Sequence, residues 1–162
     1  MKKRVSRVTL FWSTMAFAAC LILAAEQLPS TNPTDFWTYI SKTNPYKSWQ
    51  HWPGFPGKYP GTSPHGAFLE LYVNDIALKA AKAGEDMPYG AILVKENYGK
   101  DKTTLMSITP MYKDQGYDPG AGDWYWAKYS PTGTVMAAGK VDSCINCHRE
   151  GKDFLFTPAR QE

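Results

Sequence analysis

The sequence predicts an α+β fold, predominantly an antiparallel sheet of about five strands with a few short helices. Three observations predict it. Short runs rich in β-branched and aromatic residues recur between clusters of Gly, Pro, Asn and Asp, as strands between turns do. Helical periodicity is confined to short stretches near Phe36 and Ile76. Beyond residues 1–25 only Cys144 and Cys147 remain, so no disulfide framework replaces a packed core.

The chain opens with Lys2, Lys3, Arg4 and Arg7, and residues 8–25 then carry no charge. A basic start, an apolar run and small residues at Ala24 and Ala25 describe a secretory leader over residues 1–25. Two rival readings are a retained N-terminal anchor and a lipid-modified Cys20. The run continues through Leu21, Ile22 and Leu23, which suits lipidation poorly. All three place the folded part outside the cytoplasm, and cleavage near Ala25 or Glu26 places it in the periplasm.

Residues 26–34 read as a polar linker to a single domain over residues 35–162. Asn32 or Thr34 caps a short helix bearing Phe36, Trp37, Tyr39 and Ile40. Residues 53–66 hold four Pro and four Gly in fourteen positions, too broken for regular structure, and read as a long functional loop. Residues 67–73 form a strand that is apolar except at Glu70. Asn74 caps a helix that Gly84 ends. Residues 91–98, 103–111, 123–129 and 134–139 supply four further strands, the last two joined by a turn at Ser130-Pro131-Thr132-Gly133.

The leader takes four of the 18 Lys+Arg and none of the 15 Asp+Glu, so 14 basic groups face 15 acidic ones in the rest. That balance excludes the basic face of a nucleic-acid binder. No second uncharged run of about 18 residues follows, so the mature part is expected not to span a membrane. The leader removes only Phe11, Trp12 and Phe17 from the aromatic residues, and the many that remain can build the core.

Cys144-Ile145-Asn146-Cys147-His148 is a C-x-x-C-H run. In an exported protein this spacing reads as covalent attachment of haem c. Two thiols on one turn reach the two vinyl groups, and His148 is aimed at the iron. Two other chemistries use paired cysteines. A thioredoxin-like disulfide needs a βαβ context that is missing, and a zinc site would have to recruit His51 and His65. No Met follows His148, so the usual strong sixth ligand of small electron-transfer cytochromes is absent downstream. Four-helix cytochromes need long amphipathic helices that this chain does not offer.

The chain resembles the cytochrome P-460 family and its relative cytochrome c′-beta. The resemblance rests on Tyr72-Val73-Asn74, Gly90-Ala91-Ile92-Leu93-Val94-Lys95-Glu96, Gly122-Asp123-Trp124, Gly139-Lys140-Val141 before the C-x-x-C-H, and Asp153-Phe154-Leu155-Phe156-Thr157. It spans roughly residues 35–158 in the family's order. It implies a predominantly β homodimer with one covalently attached haem per chain and His148 as iron ligand. It also implies action on small nitrogen compounds: hydroxylamine oxidation in some members, nitric oxide binding in others. Electron transfer to a redox partner protein is a third reading.

Alternation puts Leu93, Lys95 and Asn97 on one strand face and Ile92, Val94 and Glu96 on the other. In hydroxylamine-oxidising members that look like this chain, the lysine of Val-Lys-Glu is bonded to the porphyrin edge; c′-beta relatives lack that bond. Lys95 is therefore a candidate catalytic and cofactor-binding residue, with a solvent-facing lysine as the plain alternative. His65 is the candidate distal residue, ligating the iron or donating a hydrogen bond to a bound ligand. Relatives place an aromatic near there, and oxidising members hold a distal carboxylate before the haem motif. Ala137 and Ala138 stand in that place here, and no Asp or Glu occurs over residues 134–141. The expected site is thus open or weakly occupied, walled by aromatics, and poor at oxidising hydroxylamine. Glu70 and His65 are the first places to look for a substitute base.

Overall fold

The computed structural model describes residues 28–156; the leader, Cys20 and the last residues of the expected domain lie outside them. Among the described residues, no helix is long and apolar enough to cross a membrane. The described residues hold seven strands in one antiparallel sheet: β1 (Gln50–His51), β2 (Tyr59–Pro60), β3 (Phe68–Val73), β4 (Ile92–Tyr98), β5 (Leu105–Lys113), β6 (Trp124–Tyr129) and β7 (Val135–Gly139). The order is β1-β3-β4-β5-β6-β7, with β2 beside the other end of β3. The α+β reading holds, and the five long strands are those expected. The two additional strands have two residues each, too few to show alternation. One of them, β2, falls inside the segment expected to be irregular. Pro60 sits there on the outer edge of the sheet, where a missing N–H breaks no interior ladder.

Local chemistry explains the helices. Asn32 Oδ1 accepts from the N–H groups of Thr34 and Asp35, starting α1 (Pro33–Thr38), which runs on as one wider turn over Tyr39–Thr43. Of the two expected caps Asn32 is the one used, and Pro33 occupies the first helical position. Asn74 Oδ1 accepts from Ala77 and Ile92, and its amide donates to Gly90 O, so one side chain joins α2 (Asp75–Ala83) to β4. Gly84 ends α2 at φ 71°, in the left-handed region. The start of β5 is later than expected because Asp101 Oδ1 accepts from Thr103 and Thr104 and holds both in a turn. The C-x-x-C-H run forms α3 (Asp142–His148).

The sheet has a core on each face. Leu71, Val73, Leu93, Met111, Trp124 and Trp126 pack with α2 and Ile145 of α3. The alternate residues Tyr72, Ile92, Val94, Ile108, Tyr112 and Tyr125 pack with Phe36 and Ile40. This second face also holds Glu96, which is fully buried. Its carboxylate accepts from Tyr46 (2.6 Å), Tyr98 (2.7 Å) and Lys47 (2.5 Å). A buried carboxylate stays only where donors satisfy it. These three donors therefore fix which way β4 faces, and by alternation they turn Lys95 to the opposite side. Glu96→Leu strands the Tyr46 hydroxyl in the core and leaves Tyr98 only a long bond to Glu70 (3.4 Å), and urea denaturation should show a loss of roughly 1–3 kcal/mol. A loss under about 1 kcal/mol would mean the network does not hold the sheet.

Candidate haem site

The opposite face of the same strands forms a cleft. Leu71, Leu93, Lys95, Asn97, Ser107, Thr109, Met111 and Trp126 make its floor, and Ala137 of β7 lies at one side. Cys144, Cys147 and His148 of α3 cover it, while Trp52, His65, Leu155 and Phe156 close the remaining sides. The free space is about 1170 Å³ including the open mouth. Cys144 and Cys147 are free thiols, one half-buried and one exposed, and burial pushes the Cys144 thiol up.

His148 is buried, and its Nδ1 lies 2.8 Å from the Phe154 carbonyl. A carbonyl only accepts, so Nδ1 carries the proton and Nε2 keeps its lone pair. Burial also lowers the imidazole's pKa, which favours the neutral ring a metal needs. Trp126 packs against the ring at 4.8 Å between centroids. The Phe154 carbonyl is held by an unusual tail. Asp153 and Phe154 both adopt positive φ, 49° and 60°. Such backbone persists for non-glycine residues only when its surroundings over-determine it. Here they do: the Asp153 carboxylate takes Lys113 in an ion pair and the Met87 N–H at 2.9 Å, and the Asp153 carbonyl accepts from the Trp124 indole at 3.0 Å.

Lys95 is half-buried on the cleft floor, not solvent-facing, and burial lowers its ammonium pKa to about 8, against a weaker opposing pull from Cys147. His65 faces the cleft too; its Nδ1 lies 3.0 Å from Asn97 Oδ1. Burial, with Lys95 adding to it, pushes the His65 pKa down to about 4, so the ring is neutral at pH 7. His51 and Glu70 bond each other at 3.0 Å and do not line the cleft. Glu70 is therefore no base for this site, and the quartet a zinc ion would need is not assembled. Among the described residues, no group of three or more His, Cys, Asp or Glu could hold a metal ion. Among the described residues, no Asp or Glu lines the cleft.

The cleft suits a flat, largely apolar group attached through two sulfurs. Both thiols border it and the Nε2 lone pair of His148 is free. Trp126 Nε1, buried in its wall, finds no acceptor among the described residues. A buried donor without a partner is rare, and a group carrying oxygen acceptors would satisfy it. Three site features escaped the sequence reading: the Asp153–Lys113 anchor, the Trp126 donor and the part Asn97 plays. Asn97 could have been found, since it shares the Lys95 face; the anchor joins residues forty apart and leaves no local pattern.

A β-sheet domain whose C-terminal helix brings a C-x-x-C-H run over an apolar cleft is of the c-type haem class. The family comparison narrows this class. The chain matches the family described as Cytochrome P460 over residues 43–157, and it belongs to that family. A comparison with curated proteins gives no match.

Proposed function

We propose that this chain is an exported mono-haem c-type cytochrome that binds nitric oxide or hydroxylamine inside the cleft. Cys144 and Cys147 hold the haem, and His148 Nε2 ligates its iron. The observation that carries this reading is the cleft itself: both thiols and a tautomer-fixed imidazole border one apolar space. Bound haem supplies a Lewis-acidic iron and a one-electron redox couple. The protein's own part is to orient, exclude water and limit proton transfer. Phe154 O fixes the His148 ring; Leu71, Leu93, Met111 and Trp126 keep the interior dry. No carboxylate among the described residues lines the cleft to take a proton from an N–H or O–H bond, so hydroxylamine binds but is oxidised slowly. A homodimer, a periplasmic location and a redox partner protein complete this reading.

One observation favours a second reading, the hydroxylamine oxidoreductase with Lys95 bonded to the ring. Lys95 faces the cleft, and its lowered pKa leaves more of the amine neutral and nucleophilic near pH 7 than in an ordinary lysine. The ferrous optical spectrum separates the two. A crosslinked ring gives a strongly red-shifted Soret band that Lys95→Ala abolishes. The ligand-binding reading expects an ordinary haem c spectrum in wild type and variant alike, and slow hydroxylamine turnover with an added electron acceptor. A red-shifted band with brisk turnover would establish the second reading instead.

A further inference from the structure

His65 and His148 share one cleft and are prepared in the same way. The His65 tautomer follows from Asn97, which is itself buried. The Asn97 amide donates to the carbonyls of Ser107 (3.1 Å) and Lys95 (3.3 Å) and to Thr109 Oγ1 (3.0 Å). Carbonyls only accept, so these contacts fix the amide's orientation and leave Oδ1 as the acceptor facing His65. His65 Nδ1 must then carry the proton, and its Nε2 has a bare lone pair. Such a ring cannot donate a hydrogen bond from Nε2 to a bound ligand. It can only accept one, or ligate a metal.

The spacing decides between these. The two imidazole centroids lie 6.1 Å apart, with the rings near perpendicular at 85°. Imidazoles on opposite sides of one metal ion, each bonded at about 2.0 Å, have ring centres about 6.3 Å apart. A ligand held between iron and His65 would need a wider gap. The position of His65 is also enforced by the backbone. Gly66 packs so closely on β4 that a Cβ there would collide with the main chain of Tyr98, and its N–H reaches Asn97 Oδ1 at 3.4 Å. The loop is thereby pressed onto the strand at the point that sets His65 beside Asn97.

From these observations we infer that His65 is the second axial ligand of the haem iron, opposite His148, and that small ligands enter by displacing it. This rests on reading the cleft as the haem site. The pocket is then closed at rest, and His65 limits ligand binding instead of assisting it. A metal-bound His65 has no lone pair left to act as a base, in keeping with slow hydroxylamine oxidation.

The test is optical and electron paramagnetic resonance spectroscopy of purified holoprotein, wild type and His65→Ala. Wild type should be low-spin in both oxidation states. His65→Ala should be high-spin, and added imidazole should return it to low spin, which a merely structural role would not do. If the site is free in a tenth of wild-type molecules or fewer, the variant's apparent nitric oxide affinity should rise about tenfold or more. High-spin wild type with haem still covalently bound overturns the inference alone and leaves the haem reading intact. A low-spin spectrum that persists in His65→Ala does the same, because another group must then be the ligand. Wild type without covalent haem overturns both.

Discussion

Replacing Cys144 and Cys147 together by alanine is expected to abolish haem staining of the denatured polypeptide completely. The two positions are three apart on α3, so both sulfurs lie on one helix face and border the same cleft. No other cysteine occurs among the described residues, so none of those can substitute. Each single variant keeps one attachment point and should retain weaker staining. Far-UV circular dichroism should show the sheet preserved, because α3 is anchored in the hydrophobic core by Ile145, and Cys144 only packs half-buried against that core. Staining that survives denaturation of the double variant would remove the covalent reading.

The second large effect is expected at Asp153, which touches neither thiol nor imidazole. Its side chain is 11 % exposed and that of Lys113 12 %, so the pair is largely desolvated. Asp153→Ala leaves the Lys113 ammonium buried without a counter-charge, and the expected loss in urea denaturation is about 3–5 kcal/mol. Replacing both, as Lys113→Met with Asp153→Leu, removes the stranded charge and should recover most of that loss. The site should respond differently from the fold. Without the carboxylate, the positive φ of Asp153 and Phe154 loses its side-chain anchor and keeps only main-chain contacts such as the Trp124 indole on the Asp153 carbonyl, so the Phe154 carbonyl is expected to shift away from His148 Nδ1. That hydrogen bond raises the basicity of His148 Nε2, the nitrogen proposed to ligate the iron. The reduction potential of the holoprotein should therefore rise in Asp153→Ala, and it should stay raised in the double variant even where stability returns. A potential unchanged in both would confine Asp153 to a stabilising role.

Much of the fold was legible because its cues are local. Asn32 and Asn74 are caps whose side chains bond backbone a few residues away, and Gly84 ends α2 through its own left-handed φ. The five long strands alternate or carry β-branched and aromatic runs, which any window along the chain displays. The two-residue strands β1 and β2 carry no such pattern; they exist because β3 offers an edge with unpaired backbone groups.

The site divides along the same line. The proposed attachment chemistry is written in five consecutive residues, and strand alternation alone puts Lys95 and Asn97 on one face. Tertiary structure decided which face that is, because Glu96 is drawn into the opposite core by Tyr46 and Lys47, about fifty positions earlier in the chain. It also decided what His65 can do. The residue type allows a ligand, a donor or an exposed loop side chain. Only the Asn97 amide, fixed by carbonyls of β4 and β5, selects the tautomer that leaves Nε2 bare. Glu70 was equally available to the sequence as a base, and its pairing with His51 outside the cleft removes it. Hydrogen-bond acceptors from distant strands set protonation and direction, and no spacing along one chain encodes them.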